Sequence, residues 1–413
     1  MPPSSCMIPL GGGRPPKGVL VFRRKVGGAV RLLVLSSVSL ALAGPTGGAA
    51  GQAEKLFVYF GTYTGPSSKG IYVSTFDAGT GELSQPELAA TTTSPSFLAA
   101  HPDGHHLYAV NEIDEFEGQK AGAATSFAID SATGRLRELN QVSTGGPGPC
   151  HLSVHASGRY LFVANYGGGS IAALPIGADG SLRPLSSFVK HEGHGPNAER
   201  QEAPHAHEVL MDPSGKLLFA ADLGLDKVLG YALNLDKGSL VTPPATTASV
   251  APGSGPRHFA FSADGRFLYV LSEMALSISS FRYEASSGTL MPLATASTLA
   301  EGMKPGPGYD AAEVQIHPSG RFLYASNRGP DSIAVFSLDA AKGLGPQIEV
   351  VPTGGKTPRG FCIDPTGRYL LAANQGSDTV VVFRIDAATG RLTPGKSVRV
   401  GTPVSVTFVR PGR

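Results

Sequence analysis

Tryptophan is missing from all 413 residues, so any aromatic stacking against a ligand falls to the 12 tyrosines or 19 phenylalanines. Cysteine occurs three times, at Cys6, Cys150 and Cys362. One of these stands in the first ten residues, and the remaining two cannot form a disulfide framework, so an apolar core must hold the chain together. Cys150 and Cys362 fall in comparable parts of distant repeats and are expected to be small buried residues. Charge is scarce: Asp, Glu, Lys and Arg make up 16%, with a balance of +2. No long basic run follows residue 31, which excludes the clustered footprint that phosphate-backbone binding needs, and with it a nucleic-acid partner. Also missing are a Gly-rich phosphate loop leading into a helix and a nucleophile elbow.

Long apolar runs are missing too. The stretch Val26 to Gly44 is short for a membrane span and is interrupted by Arg31. Its surroundings suit another role. Arg23, Arg24 and Lys25 precede it, and the small residues of PTGGAAGQA follow, offering a cleavage site near Ala50 or Ala53. A charged start, an apolar middle and a small-residue end describe an export signal. Residues 1–53 are therefore expected to be an export segment, removed with Cys6, and residues 54–413 a single domain. The protein would then be periplasmic or secreted, with no stable membrane anchor after cleavage. The paired arginines permit a twin-arginine route.

Abundance lies in glycine (54) and proline (33), set among 41% apolar residues. They punctuate a repeat. FLAAHPDGHHLYAVNE, HLSVHASGRYLFVANY, EVLMDPSGKLLFAADL, HFAFSADGRFLYVLSE, EVQIHPSGRFLYASNR and GFCIDPTGRYLLAANQ each join two apolar runs through a turn. The turn glycines are Gly104, Gly158, Gly215, Gly265, Gly320 and Gly367. Short runs rich in Val, Ile, Phe and Tyr, bounded by turn residues, predict strands in hairpins. A third strand follows each pair, as in SIAVFSLD, and after a turn such as DAATGRL a weaker fourth. Four strands roughly every 50 residues make one propeller blade. The stretches KLFVYFGTYT and GIYVSTFD supply a blade without its innermost strand, and the C-terminal PVSVTFV fills the gap. The expectation is all-β: a seven-bladed β-propeller closed by its C-terminal strand. Closure removes the free sheet edges that a stack of separate sandwiches would leave.

Residues equally far before and after a turn glycine lie at one end of a blade. Seven or eight before it stand Cys150 and His151, His207 and Glu208, Arg257 and His258, Ala312 and Glu313, Arg359 and Gly360. Seven or eight after it stand Asn111 and Glu112, Asn165 and Tyr166, Asp222 and Leu223, Ser272 and Glu273, Asn327 and Arg328, Asn374 and Gln375. The recurrent Asn and Asp suit backbone closure, and His155 and His317, next to the turns, suit structure. Arg257 and Glu273 flank Gly265 symmetrically and can pair. With His207, His151 and Arg328 on the same ring, a base candidate, two cations and an orienting carboxylate converge as at a site. The insertion KHEGHGPNAERQEAPHAH adds His191, His194, Arg200 and His205. His205-x-His207, with Glu202 and Glu208 nearby, lacks a third ligand at metal-like spacing, and Asp222 with Asp226 falls short of a calcium loop. Neither a metal nor a cofactor is expected.

The segments PHAH, GPRH and SNRGPDSI, with the repeats around them, resemble the propeller-type lactonases, the family of the bacterial 6-phosphogluconolactonase of that fold. The fungal carboxy-muconate cyclase is similar in fold. The resemblance spans nearly all of residues 54–413. It implies a sugar-lactone hydrolase with a histidine, two arginines and a glutamate at its site. These fall on His207 (or His205), Arg257, Arg328 and Glu273. In such a mechanism His207 activates water, Arg257 faces the oxyanion with Glu273 holding it, and Arg328 grips a phosphate or carboxylate. His151 and His205 would line the substrate pocket. A muconate-type cycloisomerase and a non-catalytic ligand-binding propeller are the alternatives.

Overall fold

Six PDGR-type turns set the architecture. In each, the turn glycine takes a left-handed φ of 68–73°, a region that side chains with a Cβ avoid. Its N–H bonds the carbonyl three residues back, as in Gly158 N to His155 O at 2.8 Å and Gly367 N to Asp364 O at 2.8 Å. The side chain at that carbonyl's residue closes the turn as well. Asp364 Oδ1 accepts from the backbone N–H groups of Arg368 and Tyr369. His155 and His317 do this through Nδ1, which accepts from the N–H of Ser157 and Ser319. They are structural, as their sequence position suggests.

The computed structural model describes residues 55–412; the export segment expected at 1–53 lies outside the described residues. Strands form seven antiparallel sheets, and the regular helices among the described residues are two 3₁₀ turns, Leu223–Leu225 and Gln375–Ser377. From the second blade to the seventh the innermost strands are Leu98–Ala100, Pro149–Val154, Ala206–Met211, Pro256–Phe261, Asp310–Ile316 and Pro358–Ile363. The first blade takes its inner strand from the other end of the chain. Pro403–Val409 pairs antiparallel with Lys55–Thr62, placing Phe57 against Val409 and Phe60 against Val406. The fold is the expected seven-bladed propeller, closed by the C-terminal strand.

Alternating strands bury both faces, so the core is not one mass but seven layers, each between neighbouring blades. Leu161, Val163 and Ala172 of the third blade pack on Tyr108 and Val110 of the second. Leu56, Val58 and Phe60 of the first pack on Leu371, Val380 and Val382 of the seventh, which completes the ring. Tyrosine hydroxyls stitch blades further: Tyr59 donates to Gly134 O at 2.7 Å and Tyr324 to Gly390 O at 2.8 Å. Cys150 is buried as expected, while Cys362 is only half-buried. Cys362 meets the layer between the seventh and first blades from its margin rather than its centre.

Candidate active site

The ends of the inner strands are irregular, and the irregularity builds the site. Pro149 pairs with Asn165 and His151 with Ala164, leaving Cys150 as an extra residue. The same slip isolates His207 between Ala206 and Glu208, Arg257 between Pro256 and His258, and Arg359 between Pro358 and Gly360. In a regular strand successive side chains point to opposite faces; a bulge re-aims one of them. Consecutive residues therefore both reach the axial channel, the eighth before the turn glycine nearer the mouth and the seventh deeper.

At that mouth lies a pocket of about 260 Å³. Seven of its nine lining residues hold the positions eight from a turn glycine: Glu112, Cys150, Tyr166, His207, Glu273, Arg328 and Arg359; Arg200 and Asp310 complete the wall. Glu273 is its electrostatic hub. Oε2 lies 2.9 Å from Arg257 Nε and 2.9 Å from Arg328 Nη2, and Oε1 accepts from Arg200 Nη2. The Arg257 contact is an ion pair whose Nε–H is not aimed at the oxygen. Burial alone would raise the Glu273 carboxyl, but Arg328, Arg257 and Arg200 hold it down at about 2. Burial and the other arginines bring Arg328 down to about 10, against the pull of Glu273. Across the pocket, Tyr63 and Ser96 both donate to Glu112, and Arg359 lies 5.4 Å above the Tyr63 ring. Arg359 makes no ion pair among the described residues.

His207 sits between this pocket and a small cavity beneath it. Burial first, then Arg257, His258 and Arg359, hold its imidazole well below the usual value, so it is neutral at neutral pH. Its Nδ1 is buried without a hydrogen-bond partner. Below it lies a ring of deeper groups. His258 Nδ1 is 3.3 Å from Glu313 Oε1, and His151 Nε2 is 3.4 Å from Glu208 Oε1. Burial lowers both histidines and raises both carboxyls, that of Glu313 to about 8. The channel then opens at the turn side into an apolar pocket of about 420 Å³.

Of the residues expected from sequence, His207, Glu273 and Arg328 meet at the pocket wall. Arg257 lies under its floor, where Nη1 donates to the carbonyl of Ala312. His151 and His205 are not brought to that wall. His151 is the seventh residue before its glycine and so one level too deep, its ring 4.2 Å from Phe97. His205 precedes the bulge and turns onto Tyr166, stacked at 4.5 Å, with Nδ1 3.1 Å from the Tyr166 carbonyl and Nε2 3.3 Å from Glu202. Asp222 and Asp226 spend their oxygens locally. Asp222 takes His191 Nδ1 at 2.6 Å and the N–H of His205 and Leu225; Asp226 takes Gln201 Nε2 and the N–H of Gly253 and Gly255. These bonds anchor the insertion that delivers Arg200, whose own turn is closed by Asn197 Oδ1. Arg359, Glu112 and Tyr166 stood in the symmetric set without being singled out. Arg200 had no positional signal, because an insertion has no register. Among the described residues a His–Asp–His group with metal-compatible spacing occurs at His101, Asp103 and His106, around the turn that joins the two innermost strands of the second blade.

Comparison with known proteins follows the same lines. Residues 57–408 match the family described as "Lactonase, 7-bladed beta-propeller". A 6-phosphogluconolactonase of Bacillus subtilis is 36% identical over 356 residues, covering 86% of this chain and 99% of that protein. One from Formosa agariphila is 35% identical over 74% of this chain and 86% of its own. Among solved structures, a periplasmic gluconolactonase of Pseudomonas aeruginosa superposes with a TM-score of 0.80 at 37% identity, covering 86% of this chain and 99% of that one.

Proposed function

For a chain that belongs to the seven-bladed β-propeller lactonase family, and is therefore a lactone-hydrolysing enzyme, we propose that ring opening takes place in the 260 Å³ axial pocket. The substrate is a sugar lactone of the 6-phosphogluconolactone type, and protein side chains carry the chemistry. The observation that carries this reading is His207, a buried neutral imidazole that lines the pocket among three guanidinium groups and three carboxylates.

In this reading His207 takes a proton from the water that attacks the lactone carbonyl. Negative charge then develops on the carbonyl oxygen. The guanidinium best placed to receive it is Arg359, on the wall and free of a carboxylate partner, rather than Arg257, which is tied beneath the floor. Arg257 instead supplies positive field under His207, keeping the imidazole basic site unprotonated until water presents its proton. Glu273 offsets the repulsion among Arg200, Arg257 and Arg328 and holds their planes. Arg328 grips the charged or hydroxylated tail of the substrate. As the ring C–O bond breaks, His207 returns its proton to the leaving oxygen. The export segment read at residues 1–53 would place this chemistry outside the cytoplasm, which the periplasmic relative supports.

Purified protein should release acid from gluconolactone and its 6-phosphate in an indicator assay. His207→Ala should keep its melting temperature while kcat falls by roughly 10²–10⁴, the usual worth of a general base. An unchanged kcat would remove His207 from the chemistry.

A further inference from the structure

Two imidazole nitrogens inside the channel lack partners, and their residues line one cavity. His207 Nδ1 and His258 Nε2 are both buried and unbonded, their rings 5.2 Å apart and nearly perpendicular. Both residues line the cavity beneath the pocket, whose volume of about 10 Å³ matches one water molecule. A water there would satisfy both orphaned nitrogens. The opposite nitrogen of His258, Nδ1, lies 3.3 Å from Glu313 Oε1. Glu313 lines this cavity and also the 420 Å³ pocket at the turn-side mouth. The parallel carboxyl, Glu208, is occupied by His151 and by the N–H of Phe259. With a water in that cavity, a line from active site to opposite mouth would run through His207, the water, His258 and Glu313.

Lactone hydrolysis has a use for such a line. Water adds to the carbonyl carbon and gives one proton to His207, which returns it to the ring oxygen as the C–O bond breaks. The products are a hydroxyl group and a carboxylic acid; the acid O–H bond then breaks and its proton passes to the once more neutral His207, so one further proton must leave in each turnover. The carboxylate it leaves behind is held among Arg200, Arg328 and Arg359. A proton departing through the same mouth must pass these arginines and the carboxylates Glu112, Glu273 and Asp310 beside them, whereas Glu313 faces the turn-side pocket.

We propose that His258 and Glu313 relay the product proton from His207, across one bridging water, to the turn-side mouth of the channel; the inference rests on the lactone-hydrolysis reading. Neither residue touches substrate, and both act through His207. Glu313→Gln keeps the size of the side chain and an oxygen to accept from Val314 N, but cannot hand on a proton. In dilute buffer its kcat should fall about tenfold, and added imidazole, a small diffusible proton carrier, should restore it. His258→Gln, a second route to the same break, should behave alike, while the wild-type rate stays independent of buffer concentration. A Glu313→Gln rate equal to wild type at every buffer concentration would overturn the relay. So would a loss that imidazole does not restore in a variant of normal melting temperature, which would reveal a packing role. A wild-type protein that opens no sugar lactone would remove the hydrolase reading together with the relay. An active wild type with buffer-insensitive variants would remove the relay alone.

Discussion

At Glu273 three guanidinium groups meet one carboxylate, and the balance decides what each arginine can do for a ligand. Arg328 is the wall member of the trio with the least exposure to spare, at 12% of its side chain, and a phosphate would compete with Glu273 for it. Arg328→Ala is thus expected to raise KM more for the phosphorylated lactone than for the neutral one, with a smaller effect on kcat. Equal effects on both would show that it does not meet the phosphate. The deeper groups have a different signature. Folded Glu313 keeps a proton up to about pH 8, whereas an unfolded glutamate loses it near 4.5. Its contribution to stability is therefore complete below pH 4.5 and is lost as pH rises towards 8. His151, His207 and His258 act in the opposite sense. They stay neutral in the folded protein where the unfolded chain protonates, so stability falls as pH drops below 6.5. Melting curves across this range should show a maximum between the two flanks, and Glu313→Gln should weaken the alkaline decline while leaving the acid one. A Gln variant with an unaltered alkaline slope would show that another group titrates there.

Among the elements, the strand Pro403–Val409 tests the architecture directly. It buries Val404, Val406 and Val409 to 7% exposure or less, worth about 1.5–3 kcal/mol apiece against a total stability of roughly 5–15 kcal/mol for an ordinary domain. Deleting residues 402–413 should destabilise the whole ring rather than fray one end, since the first blade loses its inner strand and the seventh its neighbour. A truncated protein that melts like the intact one would contradict the closure. This strand was legible in the sequence because PVSVTFV is orphaned by the repeat. The pocket was partly legible for the same reason: counting eight residues from Gly104, Gly158, Gly215, Gly265, Gly320 and Gly367 selects seven of its nine lining residues. The bulges were not legible. They arise from pairing across strands, and without them the count cannot tell that His207 meets the pocket while His151, one position nearer its own glycine, lies a level below. His205 misleads for a related reason, since it belongs to the approach before the bulge. Arg200 comes from an insertion whose path is set by distant anchors, Asp226 for Gln201 and Asp222 for His191.

On the scale of the whole molecule, the export reading predicts that cell fractionation will find the protein outside the cytoplasm with its N-terminus near Ala50 or Ala53. A soluble cytoplasmic form that retains residues 30–50 would refute it. The pairing of Phe57 with Val409 also has a kinetic meaning. The ring's first strand, Lys55–Thr62, must meet Pro403–Val409 before the ring is sealed, so a growing chain is an open arc until that strand has been made. Contacts of such sequence separation form slowly, and until they do the arc presents an unpaired edge on its first blade and an uncovered apolar face on its seventh. A nascent chain of this design cannot lock itself shut ahead of time. It remains open until Pro403–Val409 has been made, and sealing follows the making of every blade.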